Sequence, residues 1–243
     1  MKYNFNICIA GESHLKYVDE ILETIAEAAK VRGTGIAKRS AGYIIQKINE
    51  GKAIIALQGD DFAGFCYIET WGHDKFVANS GLIVVDKYRG QGLAKAIKTK
   101  AFELSRKRYP DAKLFGLTTG LAVMKINSEL GYVPVTFSEL TDDEMFWKGC
   151  QSCVNYDILT RTNRKHCLCT GMLYDPERIK KKSDEEQKSL SVYKRWLRFK
   201  QSVFLNGNKK KEKNVKKVRE KSKNNLLSYV NKRHIKTMLN FWG

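Results

Sequence analysis

The hexapeptide "RGQGLA", residues 89–94, has the residue types that bind an anion through the protein backbone. Two glycines in three residues lower the steric cost of unusual backbone angles and let a ligand approach the main chain. The segment after it has helical spacing, and the free N–H groups and aligned peptide dipoles of a helix start favour phosphate. We therefore predict a phosphate-binding turn. Its residues are Arg89, Gly90, Gln91, Gly92, Leu93, Ala94 and Lys95.

A second group of residues with chemical potential is a set of four cysteines. Cys150 and Cys153 form a Cys-x-x-Cys motif, and Cys167 and Cys169 form a Cys-x-Cys motif. Two close pairs separated by a short loop have the layout of a tetrahedral zinc site, in which His166 can replace one thiolate. The sequence predicts one structural zinc ion. A redox pair and chemically inert buried cysteines are the alternatives.

The composition is that of a folded protein with a basic tail. Of the 243 residues, 42% are hydrophobic and 11% aromatic, which excludes wholesale disorder. Residues 177–243 hold 21 Lys and Arg against 6 Asp and Glu, and residues 1–176 hold 23 against 20. The tail can attract nucleic acid by charge, although we do not favour that partner. No apolar run is long enough for a transmembrane helix and no signal peptide is evident, so we expect a cytoplasmic protein.

Strand-like and helix-like segments alternate over the first 140 residues in the order β-α-α-β-β-β-α-β-α-β. This order predicts an α/β fold with a mixed sheet flanked by helices. The expected organisation is an α/β domain, a Cys-rich appendage, an amphipathic basic helix and a basic, flexible tail. These parts correspond to residues 1–145, 146–176, 177–207 and 208–243.

The glycine turn, the strand before it and the later "SELGY" together resemble the GCN5-related N-acetyltransferase (GNAT) superfamily, whose signature is Arg/Gln-x-x-Gly-x-Gly/Ala. The resemblance implies that residues 89–95 hold the pyrophosphate of acetyl-CoA, with succinyl-CoA as another acyl donor. It also implies that a backbone N–H of Ile83, Val84 or Val85 polarises the thioester carbonyl. The three glycines of a Rossmann motif and the Gly-Lys-Ser/Thr of a P-loop are absent from this segment.

The same resemblance locates candidate acid–base residues. Counting back from Gly131 places Asn127 where many members carry the tyrosine that protonates the thiolate. Asn127 can donate a hydrogen bond but not a proton, so water, Tyr132 or another group must supply it. Glu69 and His73 follow the third predicted strand, where the acceptor amine should arrive, and either can serve as the general base.

The segment "VRGTGIAKRS" supplies candidate acceptor-binding residues, since in the family this region forms a wall of the acceptor pocket. Arg32, Lys38 and Arg39 lie in it, and arginine suits carboxylates. The amino-acid sequence resembles that of a bacterial subgroup associated with arginine biosynthesis, which implies that glutamate or a relative is the acceptor. A protein amine is an alternative acceptor. The alternative to an enzyme is a binding module that presents the zinc knuckle and the basic tail to RNA or the ribosome.

Overall fold

The computed structural model of the chain describes residues 3–32 and 38–204. Within these ranges there are seven strands and seven α-helices. The strands are β1 Asn6–Ile9, β2 Ala53–Gln58, β3 Asp61–Trp71, β4 Phe76–Val84, β5 Lys113–Thr118, β6 Val133–Val135 and β7 Thr170–Tyr174. The helices are α1 Val18–Arg32, α2 Ala41–Asn49, α3 Leu93–Arg108, α4 Leu121–Glu129, α5 Glu144–Lys148, α6 Tyr156–Arg161 and α7 Pro176–Phe204.

The strands form one mixed sheet in the order β1-β2-β3-β4-β5-β7-β6. The pair β4–β5 is parallel, with α3 as its connection, and the other neighbouring strands are antiparallel. The α/β fold and the order of elements from β1 to β6 are confirmed. We did not predict β7, which inserts between β5 and β6 and buries Met172 and Leu173.

Because of β7, the cysteine-rich segment is not separate from the main sheet. β7 lies within the 146–176 region and pairs with β5 at five positions and with β6 at three. The expected Cys-rich appendage is therefore not confirmed, because its last part is an inner strand of the main sheet. The short apolar run "TGMLY" lies among turn-forming residues, and its two partners precede it by 35 residues or more, so no local pattern marks it as a strand.

The core lies on both faces of the sheet because the inner strands are covered on both sides. Along β2, Ile54 and Ala56 pack on the α3 face, whereas Ile55 and Leu57 pack on the face covered by α1 and α2. This alternation follows from the two-residue period of a strand and explains the uninterrupted apolar run of β2. Burial of each isoleucine or leucine side chain stabilises the fold by roughly 1.5–3 kcal/mol.

Strands β4 and β5 stay paired over only a short length. Their parallel register joins Phe76, Val77 and Ala78 to residues 113–115 and then ends. β4 continues along β3 to Val84, while β5 continues along β7 to Thr118. The two strands therefore separate beyond Ala78, and the sheet opens where α3 begins.

Helix α7 crosses the boundary between two compact units, which divide between Lys181 and Lys182. The predicted amphipathic basic helix over 177–207 corresponds to α7. In the second unit the rings of Tyr193 and Trp196 stack with a centroid distance of 6.1 Å. The predicted tail, residues 208–243, lies outside the described residues. Among the described helices, none combines the length and the hydropathy that crossing a bilayer requires.

Candidate functional site

The glycine turn has the backbone geometry of an anion cradle. Gly90 and Gly92 adopt φ angles of 75° and 81°, and Gly92 is the N-cap of α3. A Cβ at either position would meet no atom within 4 Å, so glycine is required by conformation and not by crowding. The first helical bond runs from Ala96 N–H to Gly92 O at 3.1 Å. The N–H groups of residues 91–95 precede it and point out of the helix start, where they can bind phosphate.

The side chains around this turn contribute less than its backbone. Arg89 pairs with Asp86 at 2.7 Å and donates to Val84 O at 3.2 Å, and Lys95 pairs with Glu129 at 2.6 Å. Both cations therefore have carboxylate partners, which reduces their attraction for an added phosphate. Leu93 packs in the core, so it and Ala94 offer a ligand only their backbone. Among the described residues, the buried Oε1 of Gln91 has no hydrogen-bond partner, as expected where a ligand supplies the donor.

A cavity of about 420 Å³ occupies the gap between β4 and β5. Its inner walls are residues 79–83 of β4 and 116–118 of β5, and its outer walls come from α2, β3 and the segment 145–169. Asn127 and Lys98 also line it. The cavity thus joins the open part of the sheet to a region built from side chains of distant segments.

A bulge in β4 sets the backbone that faces this cavity. The β3–β4 register shifts between Phe65 and Tyr67, and Gly81 within the bulge has a φ of 65°. A Cβ on Gly81 would lie 2.5 Å from the Tyr67 ring, so only glycine fits. Of the strand residues that we predicted to polarise a carbonyl, Val85 donates its N–H to Ala63 O at 3.0 Å. Ile83 lines the cavity, whereas Val84 and Val85 do not.

Glu69 lies at the centre of a hydrogen-bonded group in the outer part of the cavity. The Tyr43 hydroxyl donates to Glu69 Oε2 at 2.6 Å, and Lys47 Nζ lies 2.9 Å from Glu69 Oε1. Burial and the hydrogen bond to Glu69 raise the pKa of Tyr43 far above its usual range, so it stays protonated. The carboxylate is thus fixed by two donors from one face of α2.

Arg39 reaches the same region from the residue before the N-cap of α2. Its Nε donates to the Tyr67 hydroxyl at 2.8 Å, and its guanidinium lies over the Tyr43 ring at 5.2 Å from the centroid. No carboxylate among the described residues forms an ion pair with Arg39. A half-buried guanidinium held by aromatic rings, with no acidic partner, can bind a ligand carboxylate.

The other predicted acceptor and base residues are not brought to the cavity. His73 occupies the β3–β4 turn with a φ of 55° and is exposed to solvent. Lys38 is exposed, and its backbone N–H donates to Ser152 Oγ at 3.3 Å. Arg32 ends α1, and its side chain, like residues 33–37, lies outside the described part of the chain. Of these predictions, only Glu69 and Arg39 meet at one site.

Asn127 and Tyr132 occupy different environments. Asn127 is only 1% exposed and lines the cavity, and within the described residues its Oδ1 has no hydrogen-bond partner. Tyr132 is buried, and its hydroxyl donates to Asn79 Oδ1 at 2.7 Å. Burial raises the pKa of Tyr132 well above its ordinary value. Tyr132 is therefore a structural hydrogen-bond donor in the core and not an acid in the cavity.

The four cysteines line one wall of the cavity, and the predicted zinc site is not confirmed. Within the described residues, no group of three or more His, Cys, Asp or Glu side chains is arranged to hold an ion. Burial raises the pKa of Cys150 to about 11 and that of Cys169 to about 12, with the neighbouring thiols adding to the effect. Cys150, Cys167 and Cys169 pack against the aromatic cluster around Trp147.

Residues 22–122 match the model of the acetyltransferase (GNAT) family. This segment, about two fifths of the chain, is similar to that family. The match covers the segment from α1 to the start of α4, which includes the glycine turn, the β4 bulge and Glu69. The residues that resemble the GNAT signature therefore lie inside the matched segment, and the predicted family is confirmed.

Solved structures share the GNAT fold with this chain at low sequence identity. N-acetylglutamate synthase from Neisseria gonorrhoeae, complexed with coenzyme A and N-acetyl-glutamate, has a TM-score of 0.52 and 15% identity. The alignment covers 72% of this chain and 36% of the Neisseria chain, so the chain spans about a third of that protein. Rv2747 from Mycobacterium tuberculosis, in complex with CoA, has a TM-score of 0.50 and 15% identity over 70% of this chain and 98% of its own. No curated protein sequence matches this chain.

Several residues that line the cavity or hold Glu69 were missed by reasoning from the sequence. Tyr43 and Lys47 lie four residues apart on α2, on the side of the helix that carries Ile44 and Ile48. A lysine within a stripe of buried apolar residues is the signal that was available. Lys98 on α3 shows the same signal. Gly81 was also identifiable, because a glycine inside a strand often marks a bulge.

Proposed function

We propose that the protein transfers an acetyl group from acetyl-CoA to the amine of a small acidic amino acid, with glutamate as the leading acceptor. Donor and acceptor bind together, and the amine attacks the thioester directly. The single observation that carries the proposal is Arg39. Its guanidinium is half-buried at the cavity, has no carboxylate partner among the described residues and lies beside the Glu69 group.

The donor fits the inner half of the site. The backbone N–H groups of residues 91–95 offer donors to a pyrophosphate, and each hydrogen bond to a charged group contributes roughly 1.5–3 kcal/mol. The gap between β4 and β5 then leads a long, thin chain from the turn to the cavity. The unpartnered Gln91 Oε1 and Asn127 Oδ1 lie along this course and suit the amide and thiol hydrogens of such a ligand.

The acceptor fits the outer half of the site. Arg39 would bind a carboxylate of the amino acid, and Trp71 lines the same cavity. Glu69 would accept the proton of the incoming ammonium, directly or through a water molecule. Lys47 and Tyr43 hold the Glu69 carboxylate in place. The bulge at Gly81 and Leu82 would present backbone N–H groups to the thioester carbonyl.

The comparisons give a precedent for this chemistry on the same fold. The Neisseria synthase was solved with coenzyme A and N-acetyl-glutamate, which is the product expected of glutamate acetylation. The likeness itself concerns the fold alone, and the choice of acceptor rests on Arg39. The place of the reaction in arginine biosynthesis remains part of the proposal.

The test is release of thiol from acetyl-CoA in the presence of a panel of amino acids. Glutamate and aspartate are compared with their neutral isosteres glutamine and asparagine, and succinyl-CoA is run in parallel. We expect release that depends on the acidic acceptor and an N-acetylated product by mass spectrometry. If acetyl-CoA binds but no amino acid is acetylated, the proposed acceptor class is wrong, and a protein amine becomes the next acceptor to test.

A further inference from the structure

Lys98 is a cation buried in the core of the domain. It lies on α3 among Leu93, Ile97 and Ala101, which pack against the sheet, and it is only 2% exposed. Its Nζ reaches β5, since a Cβ built on Gly116 would lie 4.0 Å from it. Because Gly116 and Lys98 both line the cavity, the ammonium lies where β4 and β5 separate.

The groups around Lys98 do not neutralise it. The titratable residues that face it are Cys66 on β3 and Tyr132 after α4, with Nζ 5.4 Å from the centroid of the Tyr132 ring. No carboxylate among the described residues pairs with Lys98. A buried ammonium without a counter-charge destabilises a fold, so a purely structural position would favour leucine or methionine. The cost indicates that a ligand uses this charge.

The neighbouring polar groups already have other partners or cannot release a proton. The Tyr132 hydroxyl donates to Asn79, and the Cys66 thiol donates to Ser80 O at 3.3 Å. Burial also raises the pKa of Cys66 to about 11. Asn127 lines the same cavity with an unpartnered acceptor oxygen, but an amide does not donate its proton to a thiolate. Lys98 remains as the proton donor at the inner end of the cavity.

We propose that Lys98 protonates the thiolate of coenzyme A as it leaves the thioester, with Asn127 holding the thiol that forms. This inference rests on the proposed acetyl transfer. Burial lowers the pKa of Lys98 to about 8, so its ammonium can release a proton near neutral pH and regain it between turnovers.

The amine nitrogen bonds to the thioester carbonyl carbon, the carbon–sulfur bond breaks, and its electron pair remains on sulfur. One proton moves from Lys98 Nζ to sulfur, giving coenzyme A as a thiol and Lys98 as a neutral amine. The proton lost by the new amide nitrogen then returns Lys98 to the ammonium through solvent. Glu69 takes the other proton, which the acceptor ammonium gave up before attack.

The first experiment uses free coenzyme A and needs no acceptor. The thiolate fraction of the bound thiol is followed by ultraviolet absorbance in wild type, Lys98→Met and the matched control Lys100→Met, an exposed lysine on the same helix. A cation nearby lowers a thiol pKa, so we expect about tenfold more thiolate at neutral pH in wild type and the control than in Lys98→Met. Equal thiolate fractions in all three proteins would overturn the inference.

The second experiment measures kcat with acetyl-CoA and the best acceptor. Loss of a general acid should lower kcat by about 10²-fold in Lys98→Met, with KM for acetyl-CoA nearly unchanged. The active form of Lys98 is protonated, so wild-type kcat should fall as pH rises through the Lys98 pKa, and this decline should be absent from Lys98→Met. If Lys98→Met has the kcat of wild type and the same decline at alkaline pH, the inference is also overturned.

Lys98→Arg separates charge from proton transfer and provides a second variant if Lys98→Met does not fold. An arginine keeps the positive charge but does not release its proton. We expect it to retain the raised thiolate fraction and to lose kcat. A raised thiolate fraction in wild type that is lost in Lys98→Met supports the role of Lys98, even if no amino acid is acetylated. Absence of acetylation refutes only the proposed acceptor.

Discussion

The two halves of the site are built in different ways. The half that would hold coenzyme A is a continuous turn of seven residues, 89–95, which acts through its backbone and two glycines with positive φ. The half that would hold the acceptor consists of side chains from α2, β3 and the cysteine-rich segment, which are far apart in the sequence. A site formed by a continuous turn can be recognised as a motif in the sequence, whereas a site formed by side chains from distant segments cannot.

The largest expected effect is the loss of coenzyme A binding when the glycine turn of the donor half is altered. Gly92→Val places a β-branched residue at a φ of 81°, which strains the turn by roughly 1–3 kcal/mol and displaces its N–H groups. Since each of those hydrogen bonds contributes roughly 1.5–3 kcal/mol, we expect about 10³-fold weaker coenzyme A binding by calorimetry.

Gly59 provides the matched control for this change. It has a φ of 61° in the β2–β3 turn, and, as at Gly92, a Cβ there would meet nothing within 4 Å. Gly59→Val should strain the backbone similarly and leave coenzyme A binding unchanged. If both variants bind coenzyme A as wild type does, the turn is not the donor site.

The next largest effect is a fall in kcat when Glu69, in the acceptor half, is replaced. Glu69→Gln removes the group that takes the proton of the amine, and we expect kcat to fall by about 10²-fold with acetyl-CoA binding intact. Glu50→Gln is the control, because Glu50 also pairs with a lysine, Lys52 at 2.9 Å, but lies outside the cavity. Activity of Glu69→Gln equal to that of Glu50→Gln would exclude Glu69 as the base.

A smaller effect tests whether Tyr43 positions Glu69. Tyr43→Phe removes the donor 2.6 Å from Glu69 while Lys47 still holds the carboxylate, so kcat should fall by about tenfold, the lower end of the roughly 1.5–3 kcal/mol of a hydrogen bond to a charged group. Tyr17→Phe removes a comparable bond, from the Tyr17 hydroxyl to Asp60 O at 2.8 Å. We expect the two variants to lose similar thermal stability and only Tyr43→Phe to lose activity.

The smallest effect concerns the cysteine wall of the acceptor half. Because burial raises the pKa of Cys150 to about 11 and that of Cys169 to about 12, both thiols are almost fully protonated at neutral pH. Iodoacetamide should therefore label these thiols slowly at neutral pH, and faster as pH rises. Rapid labelling at neutral pH would show that they are thiolates, as a redox pair requires.

The sequence was sufficient for the parts of the molecule that depend on local patterns. The GNAT fold, the element order to β6 and the turn at residues 89–95 follow from periodicity, glycine placement and the signature. The zinc site predicted from the cysteine spacing was not confirmed, because spacing in the sequence does not fix how the side chains are arranged. β7 was missed, since its partners β5 and β6 lie 35 or more residues earlier in the chain.

The arrangement of side chains at the cavity was not predictable from the sequence. Glu69 and Arg39 were named as candidates, but their proximity depends on how α2 packs on β3. Lys47 and Lys98 lie in apolar stripes, where a sequence pattern cannot distinguish a buried lysine from one whose long side chain reaches solvent. Only the packed structure shows that both are buried, Lys98 at the cavity and Lys47 against Glu69.

The most direct test of the account is the KM for glutamate in Arg39→Gln and in Lys38→Gln. The two residues are neighbours in the chain, but Arg39 lines the cavity and Lys38 is exposed. We predict that KM rises by about 10- to 100-fold in Arg39→Gln, the equivalent of one charge-assisted hydrogen bond, and stays unchanged in Lys38→Gln. Equal KM values for the two variants and wild type would contradict the assignment of Arg39 as the residue that binds the acceptor carboxylate.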